Sequence, residues 1–279
     1  MPGASCAKTG GEVMIRIALA GSTGWVGRAL VAAIAASDDL KLVAAIARNA
    51  AGRDAGEAAG IAPLGVAIAR DIGHALETPS DVLIDYTKPD AVKHHALAAL
   101  AHGRHVVIGT SGLGAEDYAK IDVAAHEAGK GVIAAGNFSI TATLMKKFAL
   151  EAAKYVADVE VIDYASGKKP DTPSGTGREL GELLAAARLA GTSKPVAELG
   201  GLRETRGAAV GAPRPVQVHS LRMPSFVLSC EAIFGAPDER LTIRHDAGAS
   251  AAPYVAGTLL AARKVSGRVG LTRGIDSLL

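Results

Sequence analysis

Met14-Ile-Arg-Ile-Ala-Leu-Ala20 is a short apolar run ending at a glycine, as expected of a strand buried in a parallel sheet. Gly21 to Gly27 reads as a turn. From Trp25 to Ala36, apolar Val26, Ala29, Leu30, Ala33 and Ile34 recur at helical spacing and stop at Ser37-Asp38-Asp39, after which Leu40 to Ala47 is a second strand. Further strands are predicted over Asp81 to Asp85, His105 to Ile108 and Gly131 to Ala134. Helices fit between them at Pro89 to His102, where proline suits the first turn, and at Ala115 to Ala128. This alternation predicts an α/β, Rossmann-like doubly wound parallel sheet covered on both faces.

The pattern changes after Phe138. A helix is predicted over Thr141 to Val156, a strand over Val159 to Tyr164 and a helix over Thr172 to Leu189. Three strands then follow in succession, Val216 to Arg222, Phe226 to Phe234 and Arg240 to His245, which points to a second, α+β domain with a mixed sheet. Polar Ser229, Cys230 and Glu231 in the middle strand mean that one of its faces is not simple core. Gly191 to Gly211 reads as a long loop or flap, and Ala251 to Val265 as an Ala-rich helix that packs back on the first domain.

Composition narrows the function. The chain has 279 residues, 49% hydrophobic and 21% charged, which is ample for packed cores. Lys and Arg number 30 against 28 Asp and Glu, and aromatics are 4%, so neither electrostatic capture of nucleic acid or membrane nor base stacking is expected. The two cysteines, Cys6 and Cys230, form no CxxC, and no metal site is expected. No run of residues is apolar and long enough to span a membrane. Residues 1–13 read as a flexible tail without the apolar core of a signal peptide, with Met14 a second candidate start. The expectation is a cytoplasmic protein.

Gly21-Ser22-Thr23-Gly24-Trp25-Val26-Gly27 lies in the first strand-to-helix turn. Glycines there let the backbone approach a pyrophosphate, which the N–H groups and dipole of the following helix then hold. The spacing is G-x-x-G-x-x-G rather than G-x-G-x-x-G, and the alternative is a turn that needs glycine for packing alone. After the second strand stands Ala47-Arg48-Asn49, with no carboxylate for a ribose 2′-hydroxyl. Arg48 suits a 2′-phosphate, which favours NADPH over NADH; the alternative is a solvated surface arginine. Asp54 and Glu57 come too late to serve the ribose. Pro173-Ser174-Gly175-Thr176 opens an apolar helix, where free N–H groups and hydroxyls suit a carboxylate or form an ordinary cap. Lys169 can bind that carboxylate or act as a general acid; the alternative is that Lys168-Lys169 is a solvated pair. Asp171 can brace the loop. His94 and His95 read as surface or packing residues, and His219 and His245 as bonded to backbone.

The order Gly21 to Gly27, Asp85-Tyr86-Thr87, Gly109-Thr110-Ser111-Gly112, Asn137-Phe138-Ser139, Lys169 to Thr176, His219 to Arg222 and Leu241 to Asp246 resembles the 4-hydroxy-tetrahydrodipicolinate reductase (dihydrodipicolinate reductase) family of lysine and diaminopimelate biosynthesis, over Met14 to Leu279. The resemblance implies a dinucleotide-binding domain from residues 14–137 and 247–279. It also implies a substrate-binding domain over 138–246 that forms a homotetramer. It implies an oxidoreductase that reduces a cyclic dicarboxylate with NADPH or NADH. Gly21, Ser22, Thr23, Gly24, Trp25, Val26, Arg48, Gly109, Thr110, Ser111, Ala135, Gly136, Asn137 and Phe138 would touch the cofactor. Ser166, Ser174, Gly175 and Thr176 would bind substrate, and Lys169 would supply the proton. The chain departs from the family at Ala165 and Ser166, where a His-His pair normally stands, and at Leu228 to Glu231, where the family has a sequence like Gly-His-Gln-Glu. A divergent paralogue acting on another cyclic imine or carboxylate, or a non-catalytic NADP(H)-binding protein, are the alternatives.

Overall fold

The computed structural model describes residues 14–192, 198 and 207–279. The expected tail, with Cys6, and most of the expected flap lie outside the described residues. The chain divides into two compact units, one of residues up to Ala134 with Thr258–Arg273, the other of Ala135–Gly257 with Gly274–Leu279.

In the first unit the elements run β1 (Ile15–Ala20), α1 (Trp25–Ala35), β2 (Leu40–Ile46), α2 (Ala55–Ala59), β3 (Ile68–Ala69), α3 (Ile72–Glu77), β4 (Val82–Asp85), α4 (Pro89–Ala101), β5 (His105–Ile108), α5 (Ala115–Glu127) and β6 (Gly131–Ala134), and β12 (Gly270–Arg273) joins near the C-terminus. All pairs are parallel, in the order β12-β6-β5-β4-β1-β2-β3. This is the doubly wound order with one added edge strand, and the winding reverses between β1 and β4. Both faces of the sheet are covered, so Ile17, Leu19, Leu83, Ile84, Val106 and Ile133 are sealed from solvent. The short elements between residues 55 and 77, and β12, went unseen in the hydrophobic pattern because none is long enough to show a period.

The second unit holds α6 (Ile140–Ala152), β7 (Asp158–Ala165), α7 (Gly175–Ala187), β8 (Ala208–Val210), β9 (Val216–Arg222), β10 (Leu228–Ala236) and β11 (Glu239–Ala247). Its sheet runs β11-β10-β7-β9-β8, parallel between β7 and β9 and antiparallel elsewhere. β7 alternates strictly, with Val159, Val161, Asp163 and Ala165 buried on one face. That face joins Leu180, Leu184, Val216, Val218, Ala232 and Phe234 in the core. The expected flap is corrected at its end, where Ala208–Val210 pairs with β9 as a strand. Helix α8 (Ala252–Lys264) follows β11. No helix among the described residues is long and apolar enough to cross a membrane.

Candidate active site

At the switch between β1 and β4, the turn after β1 is fixed by backbone crowding. Gly21 has φ +84, and a side chain there would strike the Tyr86 carbonyl. A side chain at Gly27 would strike the Gly21 carbonyl. The glycines therefore serve the packing of turn against helix as well as any ligand. The amino end of α1 is what remains open: Gly24 caps it without a side chain, and its first turn holds no acidic residue. By contrast α2, α3, α6 and α7 are capped by Asp54, Asp71, Ser139 and Ser174. An uncapped first turn beside glycines at the switch point fits a dinucleotide pyrophosphate.

The expected cofactor residues divide by what their side chains already do. Ser22 is buried, and both its hydroxyl and its backbone N–H donate to the Ile46 carbonyl, at 3.3 and 3.2 Å, so neither is left for a ligand. The Thr23 carbonyl accepts from Arg28 Nε. Trp25 and Arg48 are exposed, and Arg48 follows the carboxyl end of β2. Asp54 cannot bind a ribose, because its carboxylate accepts from the backbone N–H groups of Gly56, Glu57, Leu64 and Val66. Those bonds, led by that from Leu64, hold its pKa below the usual carboxylate range.

A buried carboxylate missed in the sequence organises the neighbouring loops. Asp85 ends β4 with no exposure. Its oxygens accept from Thr87 N at 2.9 Å, Thr87 Oγ1 at 2.7 Å and Thr110 Oγ1 at 2.8 Å, and meet His95 Nδ1 at 2.7 Å. Thr110 thus braces the β5 loop, and His95 is a partner of a buried acid rather than a surface residue. Gly109 lies against the Tyr86 ring, where any side chain would collide, and the Tyr86 hydroxyl bonds Thr258 Oγ1 at 2.7 Å. Ser111 is exposed just beyond. Ala135–Phe138 follow the carboxyl end of β6; Gly136 is open, Phe138 is buried, and Asn137 Oδ1 accepts from Ser139 N.

In the second unit the key residue is Asp163, a carboxylate on the core face of β7. One oxygen accepts from Ser174 Oγ at 2.6 Å; the other accepts from Ser174 N at 2.7 Å, Arg222 Nη2 at 2.8 Å and, more weakly, Ser220 Oγ at 3.4 Å. Ser174 Oγ in turn accepts from Gly177 N at 3.2 Å and caps α7. Arg222 Nη2 also donates to the Asp171 carbonyl at 2.6 Å, so one ion pair fixes both the loop and the helix start. A side chain on Gly177 would press on Asp163, which explains that glycine. Ser174 is therefore a buried cap, while Gly175 and Thr176 in the first turn remain accessible to a ligand. Lys169 Nζ lies 2.9 Å from Asp171 Oδ1, both partly exposed, and the lysine beside it pulls the Asp171 pKa down. Such a half-exposed pair is worth about 0–1 kcal/mol, so Lys169 can leave it for a substrate at small cost.

Ala165 is sealed at the end of β7, between Leu228 and Arg222. Ser166 turns out of the strand, and its hydroxyl accepts from Lys168 N at 3.4 Å. Cys230 is buried beside Asp163 in the register, and burial pushes its thiol up to about 12, which leaves it an inert core residue. Glu231 faces the other way, accepting from the Tyr164 hydroxyl at 2.8 Å and pairing with Arg244. His219 and His245 bond side chains rather than backbone: His219 meets Glu160 at 2.8 Å, and His245 meets the Thr141 hydroxyl at 3.2 Å. Sequence signals for the missed residues existed. Asp163 sits where alternation demands an apolar residue, and Asp85 closes a fully buried run; a carboxylate in either place must be bonded.

Residues 15–138 match the family described as dihydrodipicolinate reductase, N-terminus, and residues 141–279 match dihydrodipicolinate reductase, C-terminus. The 4-hydroxy-tetrahydrodipicolinate reductases of Synechococcus elongatus and Desulfitobacterium hafniense are each 37% identical, covering 95% of this chain and 98% of theirs. A dihydrodipicolinate reductase from Paenisporosarcina sp. TG-14, solved with dipicolinate bound, superposes with a TM-score of 0.82 at 29% identity, covering 96% of this chain and all of that one. An amine dehydrogenase from Mycobacterium smegmatis shares the fold at 16% identity, with a TM-score of 0.62 and 92% of this chain covered against 94% of that one.

Proposed function

The chain belongs to the dihydrodipicolinate reductase family, dinucleotide-dependent reductases of lysine biosynthesis, and from that premise we propose that it reduces a cyclic dicarboxylate using NADPH. The observation that carries the substrate side is the Asp163–Arg222–Ser174 brace, which presents the first turn of α7 beside the Lys169 loop. Gly175 N–H and the Thr176 N–H and hydroxyl receive one substrate carboxylate, helped by the helix dipole. The dipolar end of a rigid helix costs no reorganisation when the ligand arrives. Dipicolinate, bound in the Paenisporosarcina enzyme, is a cyclic dicarboxylate of the kind this site would take.

The turn Gly21 to Val26, the loop Gly109 to Ser111 and the segment Ala135 to Phe138 would hold the cofactor, with Arg48 on the 2′-phosphate. When bound, the nicotinamide supplies a hydride to an unsaturated substrate carbon. Lys169 leaves Asp171 and gives its proton to the adjacent ring carbon. Asp171 remains charged and receives the ammonium again once solvent has reprotonated the amine. A cytoplasmic homotetramer belongs to the same proposal and rests on the family likeness, and NADH as the poorer donor rests on Arg48.

Ala165 and Ser166 favour a second reading. Where the family likeness leads one to expect two imidazoles, this loop offers a sealed methyl group and a short hydroxyl, so a substrate with fewer charge demands, such as another cyclic imine, is the alternative. A panel of cyclic imines assayed beside the family substrate separates the two. Faster turnover of an imine than of the family substrate would establish the second.

Two further results are expected. Arg48→Ala should weaken NADPH binding about 10-fold or more, the worth of a charge-assisted contact, and leave NADH nearly unchanged. Calorimetry on both cofactors checks this, and equal affinity of the unmodified protein for the two would refute it. Thr176→Val should raise KM with little change in kcat, because the contact is already made in the ground state. A fall in kcat at constant KM would place Thr176 in the chemistry instead.

A further inference from the structure

We infer a second anion site at the opposite edge of the parallel sheet, where β1, β4, β5 and β6 begin. A cavity of about 550 Å³ opens there, a size suited to a small metabolite. Its lining joins Arg104, His105 and Lys130 with Ser80 and with apolar Ile15 and Ala262. Ser80 is 1% exposed, yet its hydroxyl has no hydrogen-bond partner among the described residues, and the same holds for the buried Nε of Arg104. Buried polar groups are bonded as a rule, so two orphans lining one cavity point to a missing partner.

The polarity of that partner follows from the donors. Gly131 N donates to His105 Nδ1 at 3.0 Å, so the neutral ring carries its proton on Nε2 as a donor. Lys130 is near enough to lower the His105 pKa further after burial has done so, and the ring stays neutral. The acid of the cavity, Asp81, is already satisfied: it accepts from Arg16 N at 2.7 Å, Arg16 Nη2 at 2.7 Å and Arg16 Nε at 3.1 Å. Arg104 and Lys130 are left as excess positive charge. The site therefore takes a small organic anion, a carboxylate or phosphate head on Arg104, Lys130 and Ser80 with a short apolar body against Ile15 and Ala262. It lies at the strand ends remote from Gly21 to Gly27, so it is separate from the dinucleotide.

Titration calorimetry of the full chain with phenyl phosphate, benzoate and inorganic phosphate tests this. One phenyl phosphate or benzoate should bind per chain, several-fold more tightly than inorganic phosphate, and the better of the two identifies the head group. Arg104→Gln and Lys130→Gln should each weaken binding about 10-fold or more, and Ser80→Ala less. Lys130 is partly exposed, so its variant guards against loss of fold. Saturating NADPH should leave the affinity unchanged. Absence of saturable binding at millimolar probe, unchanged binding in the Lys130 and Ser80 variants, or displacement by NADPH would each overturn the site.

Discussion

Lys169→Ala is expected to lower turnover about 10²-fold or more, within the range for loss of a general acid, while NADPH binding stays as it is. The reason is local. Among the described residues of the Ala165 to Thr176 loop, Lys168 and Lys169 are the only groups with a proton to give near neutral pH, and Lys169 is the one held, by Asp171 at 2.9 Å. Lys168 is exposed and serves as the internal control: Lys168→Ala should change little. Lys169→Arg should restore part of the substrate affinity, since the charge returns, but not kcat, because a guanidinium does not release a proton at working pH. Steady-state kinetics on the three variants checks the assignment. Robust activity in Lys169→Ala would show that water or another group is the acid.

The largest effect on stability is expected at Asp163. Asp163→Ala removes a fully buried carboxylate that serves Ser174 twice and Arg222 once at short distance, and leaves the Arg222 guanidinium with carbonyl partners but no counter-charge there. Breaking a buried pair from one side costs about 3–5 kcal/mol, a fall in Tm on the order of 10 °C. With the cap of α7 released, KM for the carboxylate substrate should rise as well. Ser220→Ala is the matched control; its 3.4 Å contact is long, and its loss should cost under about 1 kcal/mol. Thermal melts of both variants decide the matter. A mild Asp163→Ala beside a severe Ser220→Ala would mean that the brace is drawn wrongly.

The α/β class, the parallel sheet and most long elements were legible because their signals are local. Strands such as His105–Ile108 are bounded apolar runs, and helices such as Pro89–Ala101 carry start signals and a period. Gly191 to Gly211 misled at Ala208–Val210, where three residues become a strand only through pairing with β9. Residue type was legible where backbone chemistry dictates it, as at Gly21 in its turn and at the Ser174 cap of α7. The site was not legible where long-range contacts decide. Nothing in the spacing of Asp163, Ser174 and Arg222 says that they meet, and Asp85, His95 and Thr110 are scattered in the same way. The family resemblance supplied the order of these motifs, and the geometry supplied their reason.

This chain is expected to reduce its family's substrate class through the α7 first turn and Lys169. The most direct measurement is NADPH oxidation with freshly generated 4-hydroxy-tetrahydrodipicolinate, followed by absorbance and by identification of the reduced product. One NADPH should be consumed per product formed, at a rate that falls with Lys169→Ala and needs higher substrate with Thr176→Val. Tight NADPH binding with no oxidation by this substrate or by any cyclic imine would contradict it.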